Sequence, residues 1–272
     1  MALIDPVLLK ARLGSLSGRF DVDALDECDS TSSELMRRTD RGAPAGTVVV
    51  ADRQSAGRGR RGRTWLSSPE SSLTFSLLWR FPGPVSRLSG LSLAVGLGLA
   101  QALEGLGVRG IRLKWPNDVL LESEGEFAKL AGVLIELTSD RRGSQAIIGI
   151  GLNLDAPSGD FPMPVTGLTR ASSLPPDRHA VLAAILARLA VVLDKFAVDG
   201  FSCLKSEWQC YHAWQDQMVQ ILADGAEPQH GRCMGVDDDG ALLLDTGAGI
   251  ERIHSGDVSL RPAVNSLGGA RP

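Results

Sequence analysis

The sequence predicts an α+β fold: a mixed, largely antiparallel sheet with helices on one side, followed by a small β-barrel. Strand-like segments follow one another between residues 111 and 154 with short turns between them, which is typical of an antiparallel meander. Segments rich in Ala and Leu at residues 87–106 and 177–198 predict covering helices. Near Gln217 the chain changes to short strands, so we expect a larger domain, a barrel and a tail, at residues 1–216, 217–264 and 265–272.

The composition is that of an ordinary globular protein, with 43% hydrophobic and 22% charged residues in 272 and a net charge of -4. The N-terminus has no signal-peptide pattern, and the longest apolar stretch, residues 88–106, is interrupted by Ser, Gly, Gln and Glu. The four cysteines show neither CxxC pairing nor zinc-ligand spacing, and the four histidines are scattered. We therefore expect a cytoplasmic protein with free thiols and no membrane span, while composition fixes no oligomeric state.

The first half of the chain alternates helices and strands. A helix is predicted at residues 6–16 and a strand at residues 20–25. The next helix begins after Asp29 and ends near Gly42, and the spacing of Thr31 and Glu34 fits a capping box. Strands follow at residues 47–51 and 71–81, and then a buried helix, whose glycines indicate close packing against a neighbour, at residues 87–106.

The second half begins with the meander, in which Pro116 marks a turn between two strands. Its strands are predicted at residues 111–115, 117–121, 127–138 and 146–154, followed by a loop at 155–176 and helices at 177–198 and 201–214. In the last segment, the sequence Asp-Asp-Asp-Gly at residues 237–240 predicts a hairpin turn. A barrel of about 45 residues is marginal alone, so we expect it to pack on the larger domain.

Residues 54–65 form what we call the glycine–arginine loop, which follows a buried strand. Five arginines lie between Arg53 and Arg63, and no acid occurs before Glu70. Guanidinium groups suit phosphate oxygens, and glycines allow the backbone to approach a ligand closely. Residues 57–62 match the GxGxxG pattern, but neither the helix nor the acid about 20 residues later that a dinucleotide site needs is present. A solvated basic loop remains the alternative for this segment alone.

Four segments rich in polar residues and glycine, one of them the glycine–arginine loop, stand out along the chain. They are residues 29–32 (Asp-Ser-Thr-Ser), the glycine–arginine loop, residues 114–118 (Lys-Trp-Pro-Asn-Asp), and residues 129–132 (Lys-Leu-Ala-Gly) with 149–153 (Gly-Ile-Gly-Leu-Asn). In order and spacing they resemble the biotin protein ligases. The resemblance covers nearly the whole chain, including residues 240–244 and 256–261. The loop and the Lys-Trp-Pro-Asn-Asp segment are highly specific as a pair.

The resemblance implies a two-step reaction and a known architecture. Biotin and ATP would form biotinoyl-5'-adenylate and pyrophosphate, and the biotinoyl group would then pass to a lysine of a biotin carboxyl carrier domain, such as that of acetyl-CoA carboxylase. The implied fold is class II synthetase-like, with an SH3-like C-terminal barrel. Some family members carry an N-terminal DNA-binding domain. Only 29 residues precede Ser30, so we expect a ligase without DNA binding or repressor activity.

The resemblance also assigns roles to individual residues. The catalytic residues would be Lys129, Arg58 and Arg60. The implied biotin contacts are Ser30, Thr31, Ser32, Gln54, Gly57, Arg58, Gly59, Arg60, Lys129, Gly132, Leu134, Gly149 and Gly151. The implied ATP contacts are Arg63, Trp65, Lys114, Asn117, Asp118 and Asn153, with Asp118 and Asn117 offering oxygens to Mg²⁺. Ser32 departs from the family, which usually has Asn at that position.

Several structural readings compete with these roles. Ser30 and Thr31 would also serve as helix caps, residues 116–118 as a simple turn, Lys129 as a surface lysine and Trp65 as a core residue. Among functions, lipoate ligase shares the chemistry but has a different arginine–glycine pattern and no Lys-Trp-Pro-Asn-Asp segment. The acidic net charge argues against nucleic-acid binding. A biotin-binding protein without activity is disfavoured by the intact Lys129, Asp118 and Arg58. We expect the glycine–arginine loop to be disordered when empty and to close on the ligand.

Overall fold

The computed structural model describes residues 2–141, 143–171, 177–223, 226–256 and 258–263. Within them the chain forms a seven-stranded and a five-stranded sheet. The strands of the first sheet are β1 Asp21–Cys28, β2 Thr47–Gln54, β3 Ser72–Phe81, β4 Ile111–Lys114, β5 Asp118–Ser123, β6 Glu126–Asp140 and β7 Gly143–Asn153. The tail expected at residues 265–272 lies outside the described residues.

The first sheet is mixed and largely antiparallel, as the sequence predicts. Its order is β1-β2-β3-β7-β6-β5-β4. Among the strands that the structure describes in this sheet, only β1 and β2 pair in parallel, and the consecutive strands from β4 to β7 form the predicted antiparallel meander. The register pairs Gly149 with Ser76 and Gly132 with Gly151 across neighbouring strands, which places small residues side by side in the middle of the sheet.

Helices cover both faces of this sheet, so the expectation of helices on one side is wrong. The helices are α1 Pro6–Leu13, α2 Thr31–Asp40, α3 Leu91–Gly105, α4 Arg178–Asp199 and α5 Lys205–Tyr211. The main core, which includes α1, α3 and α4, lies on one face, whereas Leu35 of α2 packs against Val49, Leu78 and Ile147 on the other. The strand at residues 47–51 is apolar at nearly every position because both of its faces are buried.

The predicted capping box is also wrong. Ser30 is the N-cap of α2 but makes no side-chain capping bond. The Thr31 hydroxyl instead donates to Gln54 Oε1 (3.1 Å) and contacts the hydroxyl of Ser76, while Glu34 accepts hydrogen bonds from Arg37 and Arg38. The side chains at the start of α2 therefore face the sheet and are available to a site there.

Helix α3 is the apolar core helix of the protein. It begins only at Leu91, because Gly90 has a left-handed φ of 77° and ends the preceding turn. Gly98 confirms the predicted close packing, since a Cβ there would lie 3.0 Å from Leu189 of α4. The stretch Val85–Gly105 is long and apolar enough to span a membrane, but 67% of its most apolar window is buried inside the fold. The helix expected at residues 201–214 is also shorter than predicted and extends only over α5, Lys205–Tyr211.

The second sheet is antiparallel and packs on the first part of the chain. Its strands are β8 Met218–Ala223, β9 Gln229–Val236, β10 Leu242–Asp245, β11 Ile250–Ile253 and β12 Val258–Pro262, in the order β11-β10-β9-β8-β12. The predicted hairpin turn joins β9 to β10, with Asp237 Oδ1 accepting from the N–H groups of Asp239 and Ala241. The buried Trp115 Nε1 donates to the carbonyl of Gly240 at 3.0 Å, which ties this turn to the larger sheet.

Candidate functional site

Two adjoining clefts contain nearly all of the residues that the resemblance singles out. The first, which we call the hydroxyl cleft, lies between α2 and the middle of the sheet. It is lined by Ser30, Thr31, Ser32, Gln54, Arg58, Gly59, Arg60, Trp65, Thr74, Asn117, Lys129, Gly132, Val133, Leu134, Gly149, Ile150 and Gly151. Of the predicted biotin contacts only Gly57 is not in this lining. A Cβ at Gly57 would overlap the carbonyl oxygen of Trp65, so this glycine allows the loop to fold back on itself.

Neutral hydrogen-bonding groups converge in the hydroxyl cleft. Ser76 of β3 contacts the hydroxyls of Thr31 (2.8 Å) and Ser32 (3.0 Å). Gln54 Oε1 also accepts from the backbone N–H of Thr31 at 2.7 Å. The three hydroxyl groups are buried, Gln54 is half-buried, and their hydrogen bonds hold them in fixed positions. The cleft therefore presents oriented neutral hydroxyl and amide groups beside the cations Arg58, Arg60 and Lys129.

Glycines on the sheet leave the space that these side chains occupy. A Cβ at Gly149 would lie 2.6 Å from the Ser32 hydroxyl, and one at Gly151 would overlap the ring of Trp65. A Cβ at Gly132 would lie 3.2 Å from Lys129 Nζ and 3.3 Å from Trp65. A side chain at Gly149 or Gly151 would displace a cleft side chain, whereas one at Gly132 would require its neighbours to shift by a few tenths of an ångström. Glycine at the first two positions therefore keeps room for the cleft side chains.

The second cleft, which we call the lysine cleft, contains all six predicted ATP contacts. Its lining is Gly59, Arg60, Arg61, Arg63, Thr64, Trp65, Leu66, Lys114, Trp115, Pro116, Asn117, Asp118, Lys129, Asn153, Pro157, Phe161, Pro162, Met163, Val165, Val258, Ser259 and Arg261. The last three residues belong to β12 of the second sheet. The lysine cleft is therefore formed jointly by both sheets.

One carboxylate organises the cations of the lysine cleft. Asp118 Oδ1 lies 2.6 Å from Lys129 Nζ, and its Oδ2 lies 3.2 Å from Lys114 Nζ. Burial opposes ionisation of Asp118, but Lys129 and Lys114 outweigh it and hold the carboxyl pKa below its usual value. Burial lowers the pKa of Lys114 to about 8, despite the opposing effect of Asp118. Burial likewise lowers the pKa of the Arg261 guanidinium.

The two asparagines of the predicted ATP site hold loops together. Asn117 Nδ2 donates to the carbonyl of Val133 at 2.8 Å, and its Oδ1 accepts from Arg60 at 3.0 Å. Asn153 Nδ2 donates to the carbonyl of Thr166 at 3.0 Å. Both amides thus position the strands and loops that line the lysine cleft.

The side-chain oxygens predicted to bind Mg²⁺ already contact the cationic groups of other residues. Each carboxylate oxygen of Asp118 contacts a lysine, and Asn117 Oδ1 accepts from Arg60. No group of three or more His, Cys, Asp or Glu side chains that could hold a metal occurs among the residues that the structure describes. This donor set does not fit a protein-bound Mg²⁺, and Asp118 as a magnesium ligand remains a prediction that these contacts disfavour.

The glycine–arginine loop folds as a hairpin over both clefts. Gly59 N–H donates to the carbonyl of Arg63 (2.7 Å), and Trp65 N–H donates to that of Gly57 (3.0 Å). Arg60 donates to the carbonyls of Ser255 (3.0 Å) and Gly256 (2.5 Å) next to β11. The loop is therefore connected to the second sheet. Its disorder without ligand and its closure on ligand remain predictions.

The two clefts are joined by shared residues. Gly59, Arg60, Trp65, Asn117 and Lys129 line both. Lys129 Nζ lies 5.6 Å from the centroid of the Trp65 ring, at the point where the clefts meet. The hydroxyl cleft thus combines neutral hydrogen-bonding groups with Arg58, Arg60 and Lys129, and it continues into a cleft that contains further cations. This arrangement suits a reaction that joins a polar, neutral group with a carboxylate tail to a phosphate compound.

Sequence reasoning missed several residues of the site. Ser76 and Thr74 line or support the hydroxyl cleft, but within β3 they read as ordinary strand residues. Phe161 and Met163 come from a loop that has no distinctive pattern. Arg261 belongs to a segment that contributed to the resemblance, but no feature of that segment indicated a cleft.

Comparisons with known proteins give a consistent result. Residues 27–153 match the Biotin/lipoate A/B protein ligase family, and residues 216–261 match the Biotin protein ligase C terminal domain. The Bifunctional ligase/repressor BirA of Escherichia coli is 34% identical over 269 residues, which cover 96% of this chain and 81% of that protein. The Biotin--[acetyl-CoA-carboxylase] ligase of Paracoccus denitrificans is 34% identical over 246 residues, which cover 86% of this chain and 98% of that protein.

A solved structure agrees with these sequence matches. The biotin protein ligase from Aquifex aeolicus in complex with biotin and ATP superimposes with a TM-score of 0.74 at 33% identity, covering 89% of this chain and 99% of that chain. The fold, both clefts and the sequence matches along nearly the whole chain lead to one conclusion. This chain belongs to the biotin protein ligase family.

Proposed function

We propose that this chain is an ATP-dependent biotin protein ligase. It forms biotinoyl-5'-adenylate and pyrophosphate from biotin and ATP, and then transfers the biotinoyl group to a lysine of a biotin carboxyl carrier domain. The observation that carries the proposal is the junction of the hydroxyl and lysine clefts at Lys129. The names of the relatives and the ligands of the similar structure support it.

The hydroxyl cleft binds biotin. Its ureido ring is polar and uncharged and needs a few convergent hydrogen-bonding groups, which Thr31, Ser32 and Gln54 supply. Trp65 and Thr74 also line this cleft, and their buried Nε1 and Oγ1 atoms have no hydrogen-bond partner among the described residues, so a polar ligand that reached them would satisfy these groups. Leu134 provides an apolar wall for the tail.

The first chemical step joins two anions. A carboxylate oxygen of biotin attacks the α-phosphorus of ATP, the P–O bond to the β-phosphate breaks, and pyrophosphate leaves. Lys129 and Arg60 lie where the clefts meet and reduce the repulsion between carboxylate and phosphate, and they stabilise the charge that develops at phosphorus. Asp118 positions the Lys129 ammonium through their 2.6 Å ion pair.

The lysine cleft binds ATP. Lys114, Arg63 and Arg261 offer positive charge to its phosphates, and Trp65 provides an aromatic surface near the junction. Mg²⁺ enters with ATP as part of that substrate, bound through the phosphate oxygens, because the protein oxygens of this cleft already contact cations. Residues 217–264 are assigned to an SH3-like barrel whose last strand, β12, completes the nucleotide site.

The second step transfers the acyl group. The neutral lysine amine of the carrier attacks the acyl carbon, a C–N bond forms, the bond from that carbon to the phosphate oxygen breaks, AMP leaves, and the amine nitrogen releases one proton to solvent. Lys129 lies beside the position of the departing phosphate and stabilises its charge. The acceptor is the carboxyl carrier domain of a biotin-dependent carboxylase, by analogy with the activity named for the relatives.

The proposal also covers the setting of the reaction. We assign the protein to the cytoplasm, where its four free cysteines remain reduced. We expect no binding to DNA, because the net charge is -4 and the arginine cluster is confined to a loop that faces the clefts.

The test is pyrophosphate release from ATP and Mg²⁺ with biotin, with lipoate, or with neither acid. Release should require biotin, and Lys129→Ala should lower its rate by about 10²–10³-fold because a donor to the developing charge is lost. Lys195→Ala removes an exposed lysine that lines neither cleft and should leave the rate unchanged. Release with lipoate instead of biotin, or no release with either, would contradict the proposal. Addition of a carrier domain should then give a biotinylated lysine.

A further inference from the structure

Arg58 connects the glycine–arginine loop to α2 and β6, two elements that contribute residues to the hydroxyl cleft. Its NH2 group lies 2.8 Å from Glu136 Oε1 on β6, and its NH1 group donates to the Ser33 hydroxyl on α2 at 3.4 Å. Ser33 directly follows Ser32 in α2, and Glu136 lies two residues beyond Leu134 in β6. Ser32 and Leu134 line the cleft. One guanidinium therefore links the helix and the strand that contribute Ser32 and Leu134 to the cleft lining.

Glu136 depends on this ion pair more than Arg58 does. The Glu136 side chain is 17% exposed and that of Arg58 is 47% exposed. Glu136 Oε2 is buried and has no hydrogen-bond partner among the described residues. A carboxylate that is largely removed from water is costly unless a cation remains beside it. Movement of the loop away from the cleft would separate the pair, so the pair opposes loop opening.

We propose that Glu136 is a positioning residue that holds Arg58, and with it the glycine–arginine loop, over the bound acyl-adenylate. The inference rests on the proposed function. Glu136 does not line either cleft, so it acts through Arg58. Its effect falls on retention of the adenylate and not on adenylate formation. An adenylate that escapes is hydrolysed: water attacks the acyl carbon, the bond from that carbon to the phosphate oxygen breaks, AMP and biotin are the products, and the protons of the water pass to solvent.

Pyrophosphate release measured without a carrier domain distinguishes adenylate formation from adenylate retention. With saturating biotin and ATP, the first turnover gives a burst whose rate reports adenylate formation. Each later turnover requires the adenylate to leave, so the steady rate reports escape. We expect Glu136→Gln to raise the steady rate about 10-fold, since loss of one charge of a close pair acts mainly on dissociation. The burst rate should stay within about twofold of wild type.

Three further variants make the test specific. Glu136→Asp keeps the charge on a shorter side chain and should give a steady rate between those of wild type and Glu136→Gln. Glu136→Gln in an Arg58→Ala background should add no further increase, because Glu136 acts through Arg58. Asp140→Asn removes the carboxylate of another arginine pair on the same strand, Arg80–Asp140 at 2.9 Å, and should leave both phases unchanged.

The outcomes distinguish this inference from the function on which it rests. A wild-type burst with an unchanged steady rate in Glu136→Gln would overturn the inference alone. A lower steady rate would also overturn it, since Glu136 would then compete with the ligand for Arg58. A parallel loss of burst rate and burst amplitude would indicate a general structural role and would overturn it as well. If wild-type protein gives no biotin-dependent burst, the proposed function fails and the inference fails with it.

Discussion

The hydroxyl cleft and the lysine cleft meet at the same residues but are built differently. The hydroxyl cleft is formed by one sheet, one helix and a loop, and neutral groups such as Ser76 and Ser32 fix each other's positions. The lysine cleft contains charged groups held by Asp118, and one of its arginines, Arg261, comes from the second sheet. The first cleft therefore combines shape and hydrogen bonds with cations from the glycine–arginine loop and β6, whereas the second depends on charge and on contact between the two sheets.

This difference predicts separate effects on the two substrates. Variants in the hydroxyl cleft should change the KM for biotin, and variants in the lysine cleft should change the KM or the pH dependence for ATP. Residues at the junction, such as Lys129, should affect both.

The largest expected effect on one substrate is that of Gly149→Ala. Its Cβ would lie 2.6 Å from the Ser32 hydroxyl, so that side chain must move into the space of the ligand. Overpacking of this kind costs about 1–3 kcal/mol, which corresponds to a rise of about 5- to 150-fold in the KM for biotin. Gly105→Ala is the matched control, because no atom lies within 4 Å of its added Cβ. An equal rise in the KM for ATP would contradict the separation of the clefts.

The pH dependence of ATP use should report Lys114. Its pKa is lowered to about 8, so a rise in pH through that value removes its positive charge in the free enzyme. We expect kcat/KM for ATP to fall above that value, by about 10-fold for each further pH unit. Arginine stays charged over this range, so Lys114→Arg should shift the alkaline fall to higher pH. A pH profile measured with both proteins tests this, and identical profiles would show that Lys114 is not the group concerned.

Removal of the arginine from the second sheet should weaken ATP binding more moderately. Arg261 is partly buried beside Asp118 and Arg63, and Arg261→Ala takes one positive charge from the lysine cleft. We expect a rise of about 5- to 10-fold in the KM for ATP, reduced by salt, with an unchanged KM for biotin. Arg232→Ala, an exposed change on β9 of the same sheet, serves as the control. Unchanged ATP kinetics in Arg261→Ala would argue that the second sheet has no part in nucleotide binding.

The smallest effect is expected for Ser76→Ala. The variant removes the hydroxyl that contacts Thr31 and Ser32, both of which remain in place with one fewer partner. Loss of a neutral hydrogen-bond partner costs about 1 kcal/mol, so the KM for biotin should rise about fivefold. The KM for ATP, measured in the same assay, should not change, and a larger effect on ATP than on biotin would contradict the assignment of the two clefts.

The contrast between the clefts also explains how far the sequence could predict the structure. Glycine and arginine patterns, such as residues 54–65 and Gly149, mark a place where the backbone approaches a ligand, and this signal is local. The meander was predictable because strand and turn residues alternate along residues 111–154. The position of α2 on the opposite face of the sheet was not predicted. It could have been inferred from the apolar residues Val49 and Leu78, which face away from the main core and are buried by α2.

Other features depend on contacts between distant parts of the chain. Ser76 is an unremarkable strand residue until α2 brings Thr31 and Ser32 to it. The ion pair between Arg58 and Glu136 joins residues on separate elements. Nothing in the sequence around either residue indicates that the other is its partner. Asp118 is of a residue type that often binds metal ions, but in the folded chain its two carboxylate oxygens form ion pairs with Lys114 and Lys129. Residue type alone therefore did not predict what the carboxylate contacts.

A crystal structure with a non-hydrolysable analogue of biotinoyl-5'-adenylate would test the central claim, that the two clefts form one continuous active site, most directly. We predict the ureido ring among Thr31, Ser32 and Gly149, the adenosine in the lysine cleft, and the linker within hydrogen-bond distance of Lys129 Nζ. An analogue bound in only one cleft, with its linker directed away from Lys129, would contradict the account.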